Sequence, residues 1–219
     1  EMKRLSDRNR AIQEMLTSGE GLKTFYRFVA NNPHIALHDA CQIVIERPSA
    51  SICFSFEEWN AQGRRVTKGR KGIPYYDNDG SKHFVFDVSD THGDNRYRRS
   101  INPVKKILDG LDLVNGTEIA GSNRGDYRIM LSGVVNYLGQ NEFFTEDEDR
   151  NRLIAEGATY LLYSTTGFPK DRGITLKGYP YGLSENADLF REILKTTEVL
   201  QQDINDAVAN KQSEVPVID

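Results

Sequence analysis

The chain has 219 residues, with 28 Lys and Arg against 32 Asp and Glu and a formal net charge of -4. Its 38% apolar content suits one moderate globular domain or two small ones, and 18 glycines and 7 prolines exclude collagen-like and low-complexity classes. No apolar run approaches the roughly 20 residues of a membrane-spanning helix and the charged opening lacks the apolar core of a secretion signal, so a cytoplasmic location with no membrane partner is expected.

Taken in chain order, the first third reads as helical. Leu22, Phe25, Tyr26 and Val29 recur at helical spacing, and Asn32-Pro33 breaks the pattern. Leu37, Ala40, Cys41, Val44 and Ile45 then form a second apolar stripe that Pro48 ends. Ile52 to Phe54 is a short β-branched and aromatic run. Ser55-Phe56-Glu57-Glu58 has capping-box spacing, which predicts a brief helix carrying Trp59 and stopping at Gly63.

Strands are expected next: Gly72 to Tyr76, a turn at Asp77-Asn78-Asp79-Gly80, then Lys82 to Val88 with Phe84, Phe86 and Val88 on one face, together a β-hairpin. Residues 89 to 102 read as an exposed basic loop. Asn102-Pro103 starts a helix with Val104, Ile107, Leu108 and Leu111, and Asn115-Gly116 suggests a tight turn. Thr117 to Asn141 fits strand or helix equally.

Thr145-Glu146-Asp147-Glu148 repeats the capping-box spacing and opens a helix with Leu153, Ile154, Ala158, Leu161 and Leu162 inward, ended by Gly167 and Pro169. Ser184 caps a long helix with Leu189, Ile193, Leu200, Ile204 and Val208 at three-four spacing. The expected fold class is therefore α+β, with a helical N-terminal part, a central hairpin or small antiparallel sheet, and a helical C-terminal part. The chain opens on Glu and closes in a loose Ser213 to Asp219 stretch, which suggests a piece of a longer protein.

Charge is unevenly placed. Residues 47 to 106 carry 12 basic and 7 acidic side chains, between acidic flanks. Within them Gly63-Arg64-Arg65-Val66-Thr67-Lys68-Gly69-Arg70-Lys71-Gly72 holds five cations, three glycines and no acid. Glycines let a backbone bend around a polyanion whose counterions the cations replace, and Trp59, Tyr75 and Tyr76 lie close by to stack unpaired bases. The plainer alternative is a core Trp, tyrosines packed across a hairpin and a solvated turn. A second cluster, Arg96, Arg98 and Arg99 with Tyr97, either extends the same track or pairs with the acids from Glu146 to Asp149.

Other chemistry finds little support. Gly19-Glu20-Gly21-Leu22-Lys23-Thr24 has an extra Leu between glycine and lysine for a phosphate loop, and a calcium loop at Asp77 would need ligands where Tyr75 and Phe86 stand. The four histidines are His34, His38, His83 and His92, so nothing from Gly93 onward supplies an imidazole. His34 and His38 have i, i+4 spacing but lack the acid of a zinc peptidase helix. Cys41 and Cys53 are too few for a disulfide framework and suit a reducing compartment. The expectation is no enzyme, no metal and no cofactor.

Several of these pieces, in order, match a family pattern: Arg47-Pro48 with Ala50, Phe56, Trp59, Gly63-Arg64, Val66, Lys68-Gly69, Lys71-Gly72-Ile73, then Phe84-Val85-Phe86-Asp87-Val88-Ser89 with Thr91 and Gly93. Residues 47 to 93 thus resemble the N-terminal domain of ArdC-type antirestriction proteins of plasmids and integrative elements. The resemblance implies that this region binds single-stranded DNA. The family's following domain is metallopeptidase-like. Here Leu153 to Ala158, with Glu156, resembles its later acidic helix and the helix after Ser184 its C-terminal helix, while the histidine helix is missing, which implies a degenerate scaffold.

The expected organisation is an ArdC-like DNA-binding domain over 1–112, a mainly helical, degenerate peptidase-like region over 113–212 and a flexible tail over 213–219. The expected DNA contacts are Arg47, Trp59, Arg64, Arg65, Lys68, Arg70, Lys71, Tyr75, Tyr76, Arg96, Arg98 and Arg99. Single-stranded DNA is the expected partner. The rival reading is an interaction module that binds a host defence or replication protein through the acidic helical half.

Overall fold

A single serine decides where the second helix begins. In the computed structural model, which describes residues 2–77, 79–93, 104–117, 127–166 and 174–213, α1 (Met2–Thr17) runs almost directly into α2 (Gly19–Asn31). Ser18 separates them, with extended backbone and a side chain that accepts from the Gly21 amide. Leu22, Phe25, Tyr26 and Phe28 are the buried apolar residues of α2, so Phe28 takes the inward place that periodicity gave to Val29. After Pro33, α3 (Leu37–Glu46) buries Ala40, Cys41, Ile43 and Val44.

Asn32 ties these helices to the sheet. Its buried amide donates to Phe28 O and Ser51 O at 2.8 and 2.7 Å and accepts from Cys53 N at 2.7 Å. β1 (Cys53–Phe54) leads into α4 (Phe56–Ala61), whose start is the full capping box of Ser55 and Glu58. β2 (Arg65–Val66), β3 (Ile73–Tyr76) and β4 (Lys82–Asp87) follow, then a 3₁₀ turn at Val88–Asp90 and β5 (Thr91–His92).

All pairings are antiparallel: one sheet has the order β1-β4-β3, and β2 pairs with β5 in a second ribbon. The α+β class is thereby established. At the free margin of β3, the Gln42 side chain of α3 acts like one peptide group, donating to Tyr76 O at 2.6 Å and accepting from Tyr76 N at 3.1 Å.

The sheet buries the face that looks less apolar in sequence. Val85 and Asp87 point inward, while Phe84, on the opposite face, is 48% exposed. Asp87 tolerates burial because it accepts from Ser51 N (2.6 Å) and Oγ (3.0 Å), Ile52 N (3.2 Å), and Ser89 N (3.0 Å) and Oγ (2.6 Å). Burial pushes its pKa up, but these hydrogen bonds outweigh that and hold it below the ordinary carboxylate value.

A depressed folded-state value gives stability that is present above the unfolded value and lost as pH falls through the folded one. Asp87→Asn, which turns a donor toward donors, is expected to cost about 1–3 kcal/mol at pH 7. Urea midpoints of the variant and wild type should converge as pH is lowered beneath about 4. A gap that stays constant with pH would refute this account.

The chain divides into two compact units, Glu1–Ser100 with Leu176–Leu183, and Ile101–Thr175 with Ser184–Asp219. In the first, residues 176–183 lie against the α1–α2 corner. Tyr179 N donates to Leu16 O at 2.9 Å, its hydroxyl hydrogen-bonds the buried Tyr26 hydroxyl, and Gln13 Nε2 donates to Tyr181 O at 2.9 Å.

The second unit contains α5 (Val104–Asn115), α6 (Tyr127–Gln140), α7 (Glu148–Thr165) and, from Ser184 onward, α8 (Leu183–Ser213). α5 runs unbroken through residue 112. Gly116, at φ 61°, ends it as a left-handed cap, with Thr117 N donating to Asp112 O at 3.0 Å, so the turn at Asn115-Gly116 closes a helix. Within the ambiguous stretch, Tyr127–Gln140 is helical.

Asp147, not Thr145, caps α7 by accepting from Arg150 N at 2.9 Å, while Thr145 N donates to Asn151 Oδ1. α8 begins one residue before Ser184. Gly167 and Pro169 lie outside the described residues. α7 is buried well beyond one stripe, from Leu153 through Ala158 and Tyr160 to Tyr163, as a central bundle helix must be.

α5 and α8 approach closely at Gly110, where a Cβ would lie 2.4 Å from Ile204 Cγ2. Gly110→Ala is therefore expected to destabilise this unit by about 1–3 kcal/mol through overpacking, read as a fall in urea midpoint. An unchanged or higher midpoint would contradict the packing described.

Candidate nucleic-acid interface

The cationic segment is a short ribbon capped by a turn. β2 and β5 pair Arg65 with His92 and Val66 with Thr91, and Thr67 N donates to Asp90 O at 2.8 Å. The chain then reverses over Thr67-Lys68-Gly69-Arg70, closed by Arg70 N to Thr67 O at 3.1 Å. Gly69 sits at φ 86°, the left-handed conformation that the third residue of this turn requires. Lys71 and Gly72 lead on into β3.

The structure sorts the expected DNA contacts into three groups. Arg65, Lys68 and Lys71 are exposed and form no ion pair among the described residues. Arg70 is half exposed, with Nε 3.8 Å from Asp90 Oδ1. Two others are engaged internally. Arg47 donates from both terminal nitrogens to Asp90, whose side chain is only 4% exposed, and to Ser89 Oγ at 3.3 Å. The Asp90 hydrogen bond is the chief reason that Arg47 holds its proton even more firmly than a free guanidinium.

Arg64 donates from Nε to Thr91 Oγ1 at 2.9 Å and from Nη2 to Thr91 O at 3.1 Å, and lies over the Trp59 ring. These two arginines, both expected as DNA contacts, are engaged within the fold and hold the ribbon in place. Arg96, Arg98 and Arg99 lie outside the described residues.

Of the three aromatic residues expected at the interface, one is enclosed. Trp59 is fully buried: its ring meets Phe54 edge-on at 5.0 Å and its Nε1 donates to Phe86 O at 2.8 Å. A base cannot reach it. Tyr75 and Tyr76 are half-buried, Tyr75 stacked on His83 at 5.3 Å and Tyr76 capped by Arg8 at 5.0 Å and Lys82 at 6.0 Å.

Among the described residues the exposed aromatic rings are Phe56 and Phe84, neither of which sequence reasoning selected. The signal available was the alternation along β4, which puts Phe84 opposite Val85. The burial of Asp87 reverses the inference normally drawn from it.

Both thiols are buried and free, and burial above all pushes each up to about 12, so neither carries appreciable thiolate at neutral pH. His34 and His38 serve different neighbours. His34 Nε2 bonds Cys53 O at 2.9 Å and its ring stacks on Phe54, whereas His38 Nδ1 faces Gln42 and Asp39. In the second unit, Glu156 lies on the wall of a shallow, mostly apolar groove with Leu131, Val135, Phe144 and Ala155.

No described helix is long and apolar enough to cross a membrane. No family model, curated protein or solved structure matches this chain.

Proposed function

We propose that this chain binds single-stranded DNA through the turn formed by residues 65–71, as a noncatalytic, ArdC-like protein or fragment of a bacterial mobile element acting in antirestriction. The observation that supports this reading best is the exposure of Arg65, Lys68 and Lys71 around the Gly69 turn, with no acid partner among the described residues. Cations held by a preformed turn replace the counterions of a phosphate chain without ordering the loop at the moment of binding. Arg70 joins them by releasing a long contact to Asp90. Arg47 and Arg64 brace the platform from behind.

The decisive measurement is a titration of labelled single- and double-stranded oligonucleotides at two salt concentrations. Tighter single-strand binding with an affinity that falls steeply with salt is the expected result. Indifference to both strands at low salt would reject the reading. It would favour instead an interaction with a host defence or replication protein through the acidic helical half.

A further inference from the structure

We infer that Phe84 is the platform on which this interface stacks unpaired bases, with Lys82 as its flanking cation. The inference rests on the single-strand reading above. Phe84 is 48% exposed on the outer face of the sheet, and unlike Phe56 it is joined directly to the cationic turn. The join is Gly72. A Cβ there would stand 3.0 Å from Phe84 Cβ and 3.2 Å from Phe84 Cδ1, so the phenyl ring lies against the backbone immediately after Lys71.

A ring and a phosphate-binding cation are thereby held one residue apart. This is the arrangement by which single-strand binders track a backbone and cover its bases together. Phe84 also pairs across the strands with Pro74, an apolar residue without a backbone donor, and has Phe86 two places along β4 on the same side.

The exposed Lys82 ammonium lies over the Phe84 ring, 5.0 Å from its centroid, and a base stacks there as this mobile side chain swings from the ring face to a phosphate. The other aromatic candidates are less available, Trp59 being enclosed and Tyr75 and Tyr76 half-buried, with His83 stacked on Tyr75 and Arg8 over Tyr76. A planar base laid on Phe84 removes exposed apolar surface from water without needing a particular sequence, so the platform suits sequence-tolerant binding.

The test uses the full chain and two labelled probes, an oligo-dT of about 15 nucleotides and an abasic oligonucleotide of equal length. Wild type should prefer oligo-dT by about tenfold, and Phe84→Ala should bind oligo-dT about tenfold more weakly with an unaltered salt slope. Phe84→Trp should keep the affinity, and its added indole emission should be quenched during the titration.

Equal binding of oligo-dT by wild type and Phe84→Ala, with no quenching in Phe84→Trp, would overturn the platform and leave the single-strand reading standing. Failure of wild type to bind oligo-dT at low salt would overturn both. Circular dichroism of each variant establishes that the exposed substitution leaves the fold intact.

Discussion

Replacing Lys68 and Lys71 together by Glu is expected to weaken single-strand binding on the order of a hundredfold at low salt, two charge-assisted contacts of about 1.5 kcal/mol each being lost. The salt dependence should flatten as well, by about 0.7 in logarithmic slope for each phosphate contact removed. Both side chains are exposed and pair with no acid among the described residues, so stability should move by less than about 0.5 kcal/mol.

This combination of a large binding loss, a shallower slope and an unchanged urea midpoint is what separates a phosphate contact from a structural cation. Affinity and slope both equal to wild type would remove the turn from the interface. A matched loss of stability would instead mean that the lysines support the fold.

Trp59→Ala should act in the opposite manner. Removing a fully buried indole that donates to Phe86 O is expected to cost about 3–5 kcal/mol. The effect is read as a lower denaturation midpoint by circular dichroism. Since Trp59 is the only tryptophan, wild-type emission should be blue-shifted, resistant to acrylamide and unaltered by added oligonucleotide. A stable Trp59→Ala variant that bound DNA poorly would contradict the burial and restore the indole as a stacking group.

What could be read from sequence was local. The Ser55–Glu58 capping box and the β3–β4 hairpin around Asp77 to Gly80 each depend on residues a few places apart, and their chemistry is written in consecutive letters. The cationic turn was visible for the same reason. Which of its charges face solvent was not, because Arg47 meets Asp90 from 43 residues away and Arg64 meets Thr91 from 27.

The buried face of β4 was hidden in the same way. Asp87 is a core residue because Ser51 and Ile52, distant in sequence, join Ser89 in delivering hydrogen bonds to it. That reversal turns Phe84 outward, while Trp59 is enclosed. The return of residues 176–183 to the first unit also carries no local signature, since Tyr179 and Gln13 find their partners across more than half the chain.

The Gln42 side chain at Tyr76 limits how this molecule can recruit others. An open strand margin invites any extended peptide, including a second copy, to continue the ladder. Here α3 fills one of those bonding positions from within the same chain, so β3 is a poor template for self-association or for a peptide added as a further strand. What the sheet leaves open is its outer face at Phe84, where any contact would be made by side chains and not by backbone complementarity.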